Sequence, residues 1–265
     1  MESSSPAGKP AFETTELFGL PLARVTFREA LGLLKSWLKE SSPHHIITAD
    51  ATMVLEALDD ARLKELLLRA ALIVPDGFGV VWAARRLGMQ LPERVPGCEL
   101  AERLCVETAD LGTRFYFFGG APGVAAEAAE RLKEKYPTLQ IVGTRHGYFT
   151  EQEESEIVTE IAALRPDVLY CALGIPKQEF FIAKYADQLG AKLLMGVGGT
   201  LDVLSGRVKR APKLFQNLHL EWLYRTLGQP RKRLPRAIKL ARLVWLTAQE
   251  RRRMGQAQKE QPADG

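Results

Sequence analysis

Cysteine is scarce in this sequence. The chain of 265 residues contains three, Cys98, Cys105 and Cys171, and no two of them form a CxxC pair. An odd number without paired spacing argues against a disulfide framework. A chain of this length can bury a sizeable core without cross-links. We therefore expect three buried thiols in a reducing compartment.

Long hydrophobic runs are also missing. The longest apolar stretch, near residues 70–84, is interrupted by Pro75, Asp76 and Gly77, and it falls short of the roughly 18–20 apolar residues that cross a bilayer. The first residues include no apolar segment of the kind found in signal peptides. We expect a protein that is not integral to the membrane, with a disordered leader over 1–12 and a disordered polar tail over 254–265.

Several motifs of nucleotide and metal chemistry are absent. The glycine-rich stretch at 119–123 lacks the GK[ST] of a Walker A loop, and it is not a GxGxxG, which argues against a nicotinamide-dependent oxidoreductase. No two aspartates are separated by one residue, the four histidines are not at ligand spacing, and no GxSxG elbow occurs. We expect neither a metal ion nor another cofactor.

Acidic residues are nearly missing from one segment. Residues 205–253 hold 14 Lys and Arg against two acids, whereas residues 1–204 have a net charge of −7. This segregation predicts an anionic partner for the basic segment. Beyond charge the segment shows no signature of nucleic-acid binding, so we expect no nucleic-acid partner. The oligomeric state stays open.

The basic segment has an amphipathic helical pattern. One arc of the helical wheel holds Ile238, Ala241, Val244, Trp245 and Ala248, and the opposite arc holds Arg236, Lys239 and Arg242. This pattern fits a helix at an anionic membrane surface, with Trp222, Tyr224 and Trp245 at the interface. It also fits a helix packed on the core with its basic face in water.

Apolar runs of strand length alternate with helical patterns from about residue 44 to 204. The predicted strands are 45–49, 71–75, 114–118, 139–142, 168–173 and 192–197, and the clearest helices are 28–38, 124–136, 151–164 and 177–189. Thr26 and Glu29 predict a capping box at the first helix. Near-continuous hydrophobicity is typical of strands covered on both faces. We predict a doubly wound α/β domain, mostly parallel, over 13–204, followed by a basic helical appendage over 205–253.

Polar and glycine-rich clusters follow five of the predicted strands. They occupy residues 48–50, 75–77, 119–123, 174–179 and 196–199. Ligands of such folds bind at the carboxyl ends of the strands, so the clusters predict a single crevice. In the glycine-rich cluster at 119–123, glycines let a phosphate approach a helix N-terminus, although a tight turn explains them equally well.

Several side chains in or near these clusters have both a structural and a functional interpretation. From residue type alone, Asp76 is more simply a helix cap than a general base. Arg94 is either a surface arginine or a phosphate ligand, and Gln178 either caps a helix or contacts a sugar hydroxyl. Asp202 has the chemistry to accept hydrogen bonds from a ribose or a base.

Together the motifs resemble the WecG/TagA/CpsF glycosyltransferase family. The matching residues are TAD at 48–50, PDGFGVVWAARRLG at 75–88, ERVPG at 93–97, FFGGAPGVAAEA from 117, LGIPKQE at 173–179, GVGGTLDVLSGRVKRAP from 196, then EWLYR and PRKR. They cover residues 15 to 245 in the family's order and spacing. The resemblance implies a Rossmann-like, metal-independent, inverting enzyme at the cytoplasmic face of the plasma membrane. It would transfer N-acetylmannosamine or a related sugar from a UDP-sugar donor to a GlcNAc-diphospho-polyprenol acceptor, for wall teichoic acid or surface polysaccharide.

The same resemblance assigns roles to residues of this chain. Asp76 becomes the general base, which reverses the preference for a cap. Thr48 and Arg94 would place the acceptor or the sugar phosphates, and Gln178 would contact the donor sugar. Uridine and diphosphate would be held by Asp50, Gly119, Gly120, Gly123, Tyr148, Gly198, Gly199 and Asp202. Arg225, Arg231 and Arg233 would close over the site, because a leaving UDP without a metal needs preorganised cations.

One residue departs from the family. Asp50 stands where the family usually has Asn, and an ionised carboxylate accepts hydrogen bonds but donates none. Two alternatives therefore remain open: a UDP-sugar transferase with another donor, and a non-catalytic module that binds nucleotides or anionic membranes.

Overall fold

A six-stranded parallel sheet forms the centre of the protein. The computed structural model describes residues 12–208 and 230–260, with side chains for 239–256 in the second range. The strands are β3 (His44–Ala49), β4 (Leu72–Pro75), β5 (Arg114–Gly119), β6 (Gln140–Arg145), β7 (Val168–Ala172) and β8 (Leu193–Gly196). Their order across the sheet is β4-β3-β8-β7-β5-β6.

Helices cover both faces of this sheet. One face packs against α1 (Phe27–Trp37), α5 (Gly97–Thr108), α6 (Val124–Lys135) and α9 (Thr200–Leu204). The other face packs against α2 (Ala51–Asp59), α3 (Ala61–Leu68), α4 (Phe78–Arg86), α7 (Glu154–Ala163) and α8 (Lys177–Leu189). The last helix, α10 (Pro230–Glu260), joins this second layer through the buried Leu243. The predicted doubly wound α/β fold is confirmed.

The central elements follow the sequence pattern closely. Helix α8 has the predicted bounds, and the side chain of Thr26 caps α1 in the predicted capping box with Glu29. Strand β6 runs to Arg145, three residues beyond the prediction, and α10 continues past residue 254, where the predicted tail begins. Cys105 and Cys171 are buried, and burial raises the pKa of Cys105 to about 12, which makes it a poor nucleophile.

A small hairpin lies outside the central sheet. Its strands, β1 (Thr14–Leu17) and β2 (Leu20–Ala23), are antiparallel and meet at a turn in which Phe18 and Gly19 have positive φ. Leu17, Leu20 and Leu22 are buried in the same hydrophobic cluster as α3 and α4. The hairpin therefore closes the core beside α3.

The strand order places a topological switch point between β5 and β7. The chain leaves β5 towards β6 at the edge of the sheet and leaves β7 towards β8 near its centre. Helices α6 and α8 therefore diverge from neighbouring strands, and such a divergence opens the crevice in which doubly wound folds bind ligands.

Candidate active site

The loops after the six parallel strands lie along one edge of the sheet, and we call this edge the carboxyl rim. Ala49 pairs with Pro75 in the register of β3 and β4, so the residues that follow them, Asp50 and Asp76, are neighbours. The backbone N–H of Asp76 donates to the carbonyl of Ala49 at 3.0 Å. Next to it, a Cβ added at Gly77 would lie 3.3 Å from the Cα of Asp50. The rim thus brings the two predicted acids together.

The structure separates the roles of these two acids. Asp50 is the N-cap of α2, and its Oδ1 accepts from the backbone N–H of Met53 at 2.9 Å. The N-cap of α4 is Gly77 and not the half-buried Asp76. Asp76 precedes this N-cap residue, and both its interpretations, a contact at the start of α4 and a general base, stay open at this point. Asn and Asp are equally good N-caps, so Asp50 performs a structural task that an asparagine at this position would also be able to perform.

Thr48 and Arg94 lie beside this pair. The backbone N–H of Val95 donates to the carbonyl of Pro75 at 2.8 Å, which places Arg94 next to the end of β4. Helix α5 begins at Gly97, where an added Cβ would lie 2.8 Å from the Oγ1 of Thr48. Both predicted residues are half-buried. The carboxyl rim therefore unites Thr48, Asp50, Asp76 and Arg94, as predicted.

The glycine-rich loop after β5 meets the end of β7. Gly119 has φ of +125°, and a Cβ there would lie 2.4 Å from the carbonyl carbon and oxygen of Ala172. The backbone N–H of Gly120 donates to that same carbonyl at 3.0 Å. Gly123 is the N-cap of α6, so the loop delivers the positive end of that helix to the rim.

Gln178 links the loops after β7 and β8. Its side chain is 2% exposed, and its Oε1 accepts from the backbone N–H groups of Gly174 at 3.2 Å and Gly198 at 3.1 Å. These bonds engage the side chain inside the protein. Its predicted contact with the donor sugar stays a prediction.

The remaining donor-side residues border the same loops. Tyr148 is 68% exposed and follows Gly147, whose N–H donates to the carbonyl of Gly120 at 2.9 Å. Gly199 is the N-cap of α9, and Asp202 lies in the first turn of that helix. The structure places all three on the rim, and their predicted contacts with uridine and diphosphate stay predictions.

Arg207 is a rim cation that the sequence reasoning missed. Its guanidinium forms two hydrogen bonds with Glu127 in the first turn of α6, at 2.7 and 2.5 Å. Its Nη2 would lie 2.8 Å from a Cβ at Gly123. The guanidinium lowers the pKa of Glu127. The sequence showed Arg207 as one of the 14 basic residues of the segment and as part of the motif that begins at residue 196, but its place beside α6 follows from the fold.

The appendage helix α10 packs beside the Asp76 side of the rim. Leu240 and Leu243 lie against Gly79, three residues after Asp76. Lys239 pairs with Glu56, and Arg242 forms a bidentate pair with Asp59 at 2.5 and 2.6 Å. Helix α10 therefore packs on the core through Leu243, while Lys239 and Arg242 of the basic arc pair with acids of α2.

The apolar arc of α10 faces outward instead. Val244 and Trp245 are 44% and 57% exposed, and Ala241 and Ala248 are exposed as well. Of the three predicted closing arginines, Arg225 lies outside the described residues. Arg231 and Arg233 belong to α10, which the structure describes there without side chains.

Two other features bear on the site. Among residues 12–208 and the described part of α10, no group of three or more His, Cys, Asp or Glu is placed to hold a metal ion. Grooves of about 510 and 940 Å³ lie along α1, and no residue of the carboxyl rim lines them. We therefore assign the candidate site to the carboxyl rim from the chemistry of its residues and from the switch point between β5 and β7, and not from these grooves.

Comparison with known proteins gives consistent matches. The glycosyl transferase WecG/TagA/CpsF family matches residues 15–257. The chain is 39% identical over 195 residues, 74% of its length and 75% of the relative's, to an N-acetylglucosaminyldiphosphoundecaprenol N-acetyl-beta-D-mannosaminyltransferase of Bacillus spizizenii. It is 34% identical over 215 residues, 80% of its length and 84% of the relative's, to a protein of the same name from Staphylococcus aureus.

Proposed function

This chain belongs to the glycosyl transferase WecG/TagA/CpsF family, and on that premise we propose that it transfers N-acetylmannosamine from its UDP form to GlcNAc-diphospho-undecaprenol. The observation that carries the proposal is the position of Asp76. This carboxylate follows a buried strand at the carboxyl rim, lies beside Asp50, and precedes Gly77, the N-cap of α4. A carboxylate at the carboxyl ends of the strands lies where ligands of such folds bind.

The proposed reaction is a single displacement. Asp76 takes the proton of the attacking acceptor hydroxyl, and the freed oxygen attacks the anomeric carbon of the donor sugar. The bond from that carbon to the β-phosphate oxygen breaks, and its electron pair leaves with UDP. Attack opposite the leaving group inverts the anomeric centre.

The rim provides groups for the other parts of this reaction. Thr48 and Arg94 flank Asp76 and orient the acceptor or the sugar phosphates. On the donor side, the N-terminus of α6 and Arg207 lie beside the glycine-rich loop and offset the charge that develops on UDP. Arg225, Arg231 and Arg233 add cations as UDP leaves. No metal ion takes part in this scheme.

Calorimetric titration with UDP in the presence of EDTA tests the donor half of the proposal. We expect binding with one UDP per chain and the same affinity with or without EDTA. NADH serves as the control ligand and should not compete. Absence of UDP binding would contradict the proposal and favour a module that binds anionic surfaces only.

The acceptor is a lipid, so the enzyme must work at a membrane. No helix of the described residues is long and apolar enough to cross a bilayer. We propose that the protein lies on the cytoplasmic face and that α10 touches the surface with Ala241, Val244, Trp245 and Ala248. This stripe is exposed, while Lys239 and Arg242 are held by α2. Exposed arginines at 251–253 continue the helix and suit anionic head groups.

Trp245→Ser tests this surface. We expect about tenfold weaker binding to vesicles that contain anionic phospholipid, because the indole would lose its burial at the interface. Vesicle co-sedimentation measures the effect. Leu111→Ser is the matched control, since Leu111 is 71% exposed on the 3₁₀ turn after α5 and should not touch lipid. Equal loss in both variants would contradict the assignment.

Arg242→Gln tests how α10 is held. The bidentate bond from Arg242 lowers the pKa of Asp59 below its ordinary value of 3.8, so the pair stabilises docking at neutral pH and fails as the pH falls through the lowered pKa. We expect hydrogen exchange over 239–256 to rise about two- to fivefold in the variant at pH 7. Arg251→Gln on the same helix is the control. Exchange that stays at the wild-type rate would show that the Arg242–Asp59 pair does not hold the helix.

A further inference from the structure

A buried carboxylate lies behind the candidate site, at the start of α8. Glu179 is fully buried, and its Oε2 lies 2.7 Å from the Nε2 of His45 on β3. Its Oε1 accepts from the Nε2 of Gln178 at 2.8 Å. A buried carboxylate is costly unless it is paired and hydrogen-bonded. Both oxygens are hydrogen-bonded here, one of them to a strand on the other side of β8.

These bonds fix the direction of the Gln178 carboxamide. The Oε1 of Glu179 accepts from the carboxamide, so it faces the amide nitrogen of Gln178. The backbone N–H groups of Gly174 and Gly198 can only donate, so they must face the amide oxygen. A flipped amide would set oxygen against carboxylate and N–H against N–H. One orientation satisfies all partners, and Glu179 enforces it.

The sheet leaves space for this arrangement. A Cβ at Gly196, the last residue of β8, would lie 2.4 Å from the Oε1 of Glu179 and 2.5 Å from the Nε2 of Gln178. The two side chains therefore occupy the volume that a larger residue would fill. They connect β3 and the loops after β7 and β8 into one hydrogen-bonded unit.

We propose that Glu179, held by His45, is a positioning residue for the donor. Acting through Gln178, it keeps the loops at Gly174 and Gly198 at the separation that the UDP moiety requires. This role rests on the proposed function, which places the nucleotide on these loops. Glu179 touches neither substrate nor reacting atoms, so its effect falls on donor affinity.

Two substitutions of Glu179 distinguish positioning from packing. Glu179→Met keeps the approximate volume and removes both acceptors. Glu179→Gln can still accept from Gln178 and donate to the other tautomer of His45. In the protein without ligand, we expect the amides of Gly174 and Gly198 to exchange at least tenfold faster in Glu179→Met and within threefold of wild type in Glu179→Gln. The dissociation constant for UDP should likewise rise in Glu179→Met and stay nearer the wild-type value in Glu179→Gln.

A matched carboxylate at the amino ends of the strands, opposite the carboxyl rim, is the control. Asp167 precedes β7 and joins the N–H of Arg114 to the ammonium of Lys192. Asp167→Asn should leave exchange at Gly174 and Gly198 and the affinity for UDP unchanged, whatever it does to stability. If Glu179→Met does not fold, His45→Leu and His45→Gln form a second pair, because a glutamine amide can replace the Nε2 donor.

The outcomes distinguish a failure of the positioning role of Glu179 from a failure of the proposed function. Exchange at Gly174 and Gly198 that stays at the wild-type rate in Glu179→Met, or in His45→Leu, would overturn the positioning role. Faster exchange with unchanged affinity for UDP would overturn its link to the donor. A wild type that binds no UDP would contradict the proposed function, while the exchange rates would still decide whether Glu179 orders the loops.

Discussion

Asp76→Asn is expected to lower the transfer rate by about a hundred- to ten-thousandfold, the range that one general base contributes. Asparagine has the same shape but cannot take the proton of the acceptor hydroxyl. Asparagine keeps an acceptor oxygen on the side chain, and the backbone bond from residue 76 to Ala49 and the N-cap Gly77 are unchanged. The variant should therefore unfold at the wild-type temperature and bind UDP as the wild type does.

Asp50→Asn is the matched control for this result. It makes the same chemical change at the neighbouring residue, and asparagine still accepts the N–H of Met53 as the cap of α2. We expect turnover within a few-fold of wild type, measured by UDP release under the same conditions. Comparable rates for Asp76→Asn and wild type would remove Asp76 as the base. An equal loss in both variants would point to the charge of the pair instead.

Gly119→Ala is expected to destabilise the fold by about 3–5 kcal/mol. The new Cβ would collide with backbone atoms of Ala172, which cannot rotate away, and the φ of +125° is one that residues with a side chain rarely adopt. Relief would require β5 and β7 to separate at the switch point. Chemical denaturation measures the loss, and UDP binding should weaken in any fraction that folds.

Gly190→Ala separates the collision from the backbone strain. Gly190 ends α8 with φ of +68°, and a Cβ there would meet no atom within 4 Å. The cost should be about 1–2 kcal/mol, from the left-handed conformation alone. Equal costs at the two glycines would contradict the close contact between β5 and β7.

The central elements were predictable because each has a local cause. An unbroken apolar run marks β7, and the capping box of Thr26 and Glu29 marks the start of α1. The β1–β2 hairpin was missed because four-residue strands produce no periodic signal. The strand order was also beyond the sequence pattern, since the pairing of His44 with Leu193 joins residues far apart in the chain.

In the candidate site, too, some features were predictable from local sequence and others depend on contacts between distant residues. Asp50 and Asp76 were predicted to meet because both follow strand ends, whereas only the family resemblance placed Arg94 with them. The burial of Gln178 depends on Gly198, 20 residues later, and on the absence of a side chain at Gly196. The sequence left the orientation of α10 open, because a helical wheel cannot show that α2 presents two acids, Glu56 and Asp59, to Lys239 and Arg242.

One transfer reaction tests the proposed function most directly. Wild-type protein is incubated in EDTA with UDP-N-acetylmannosamine and a short-chain GlcNAc-diphosphoprenol, and both UDP release and the lipid product are followed. We predict one N-acetylmannosamine added per acceptor, with inverted anomeric configuration and an equal amount of UDP. Recovery of intact donor and acceptor from protein that binds UDP would contradict the proposed reaction.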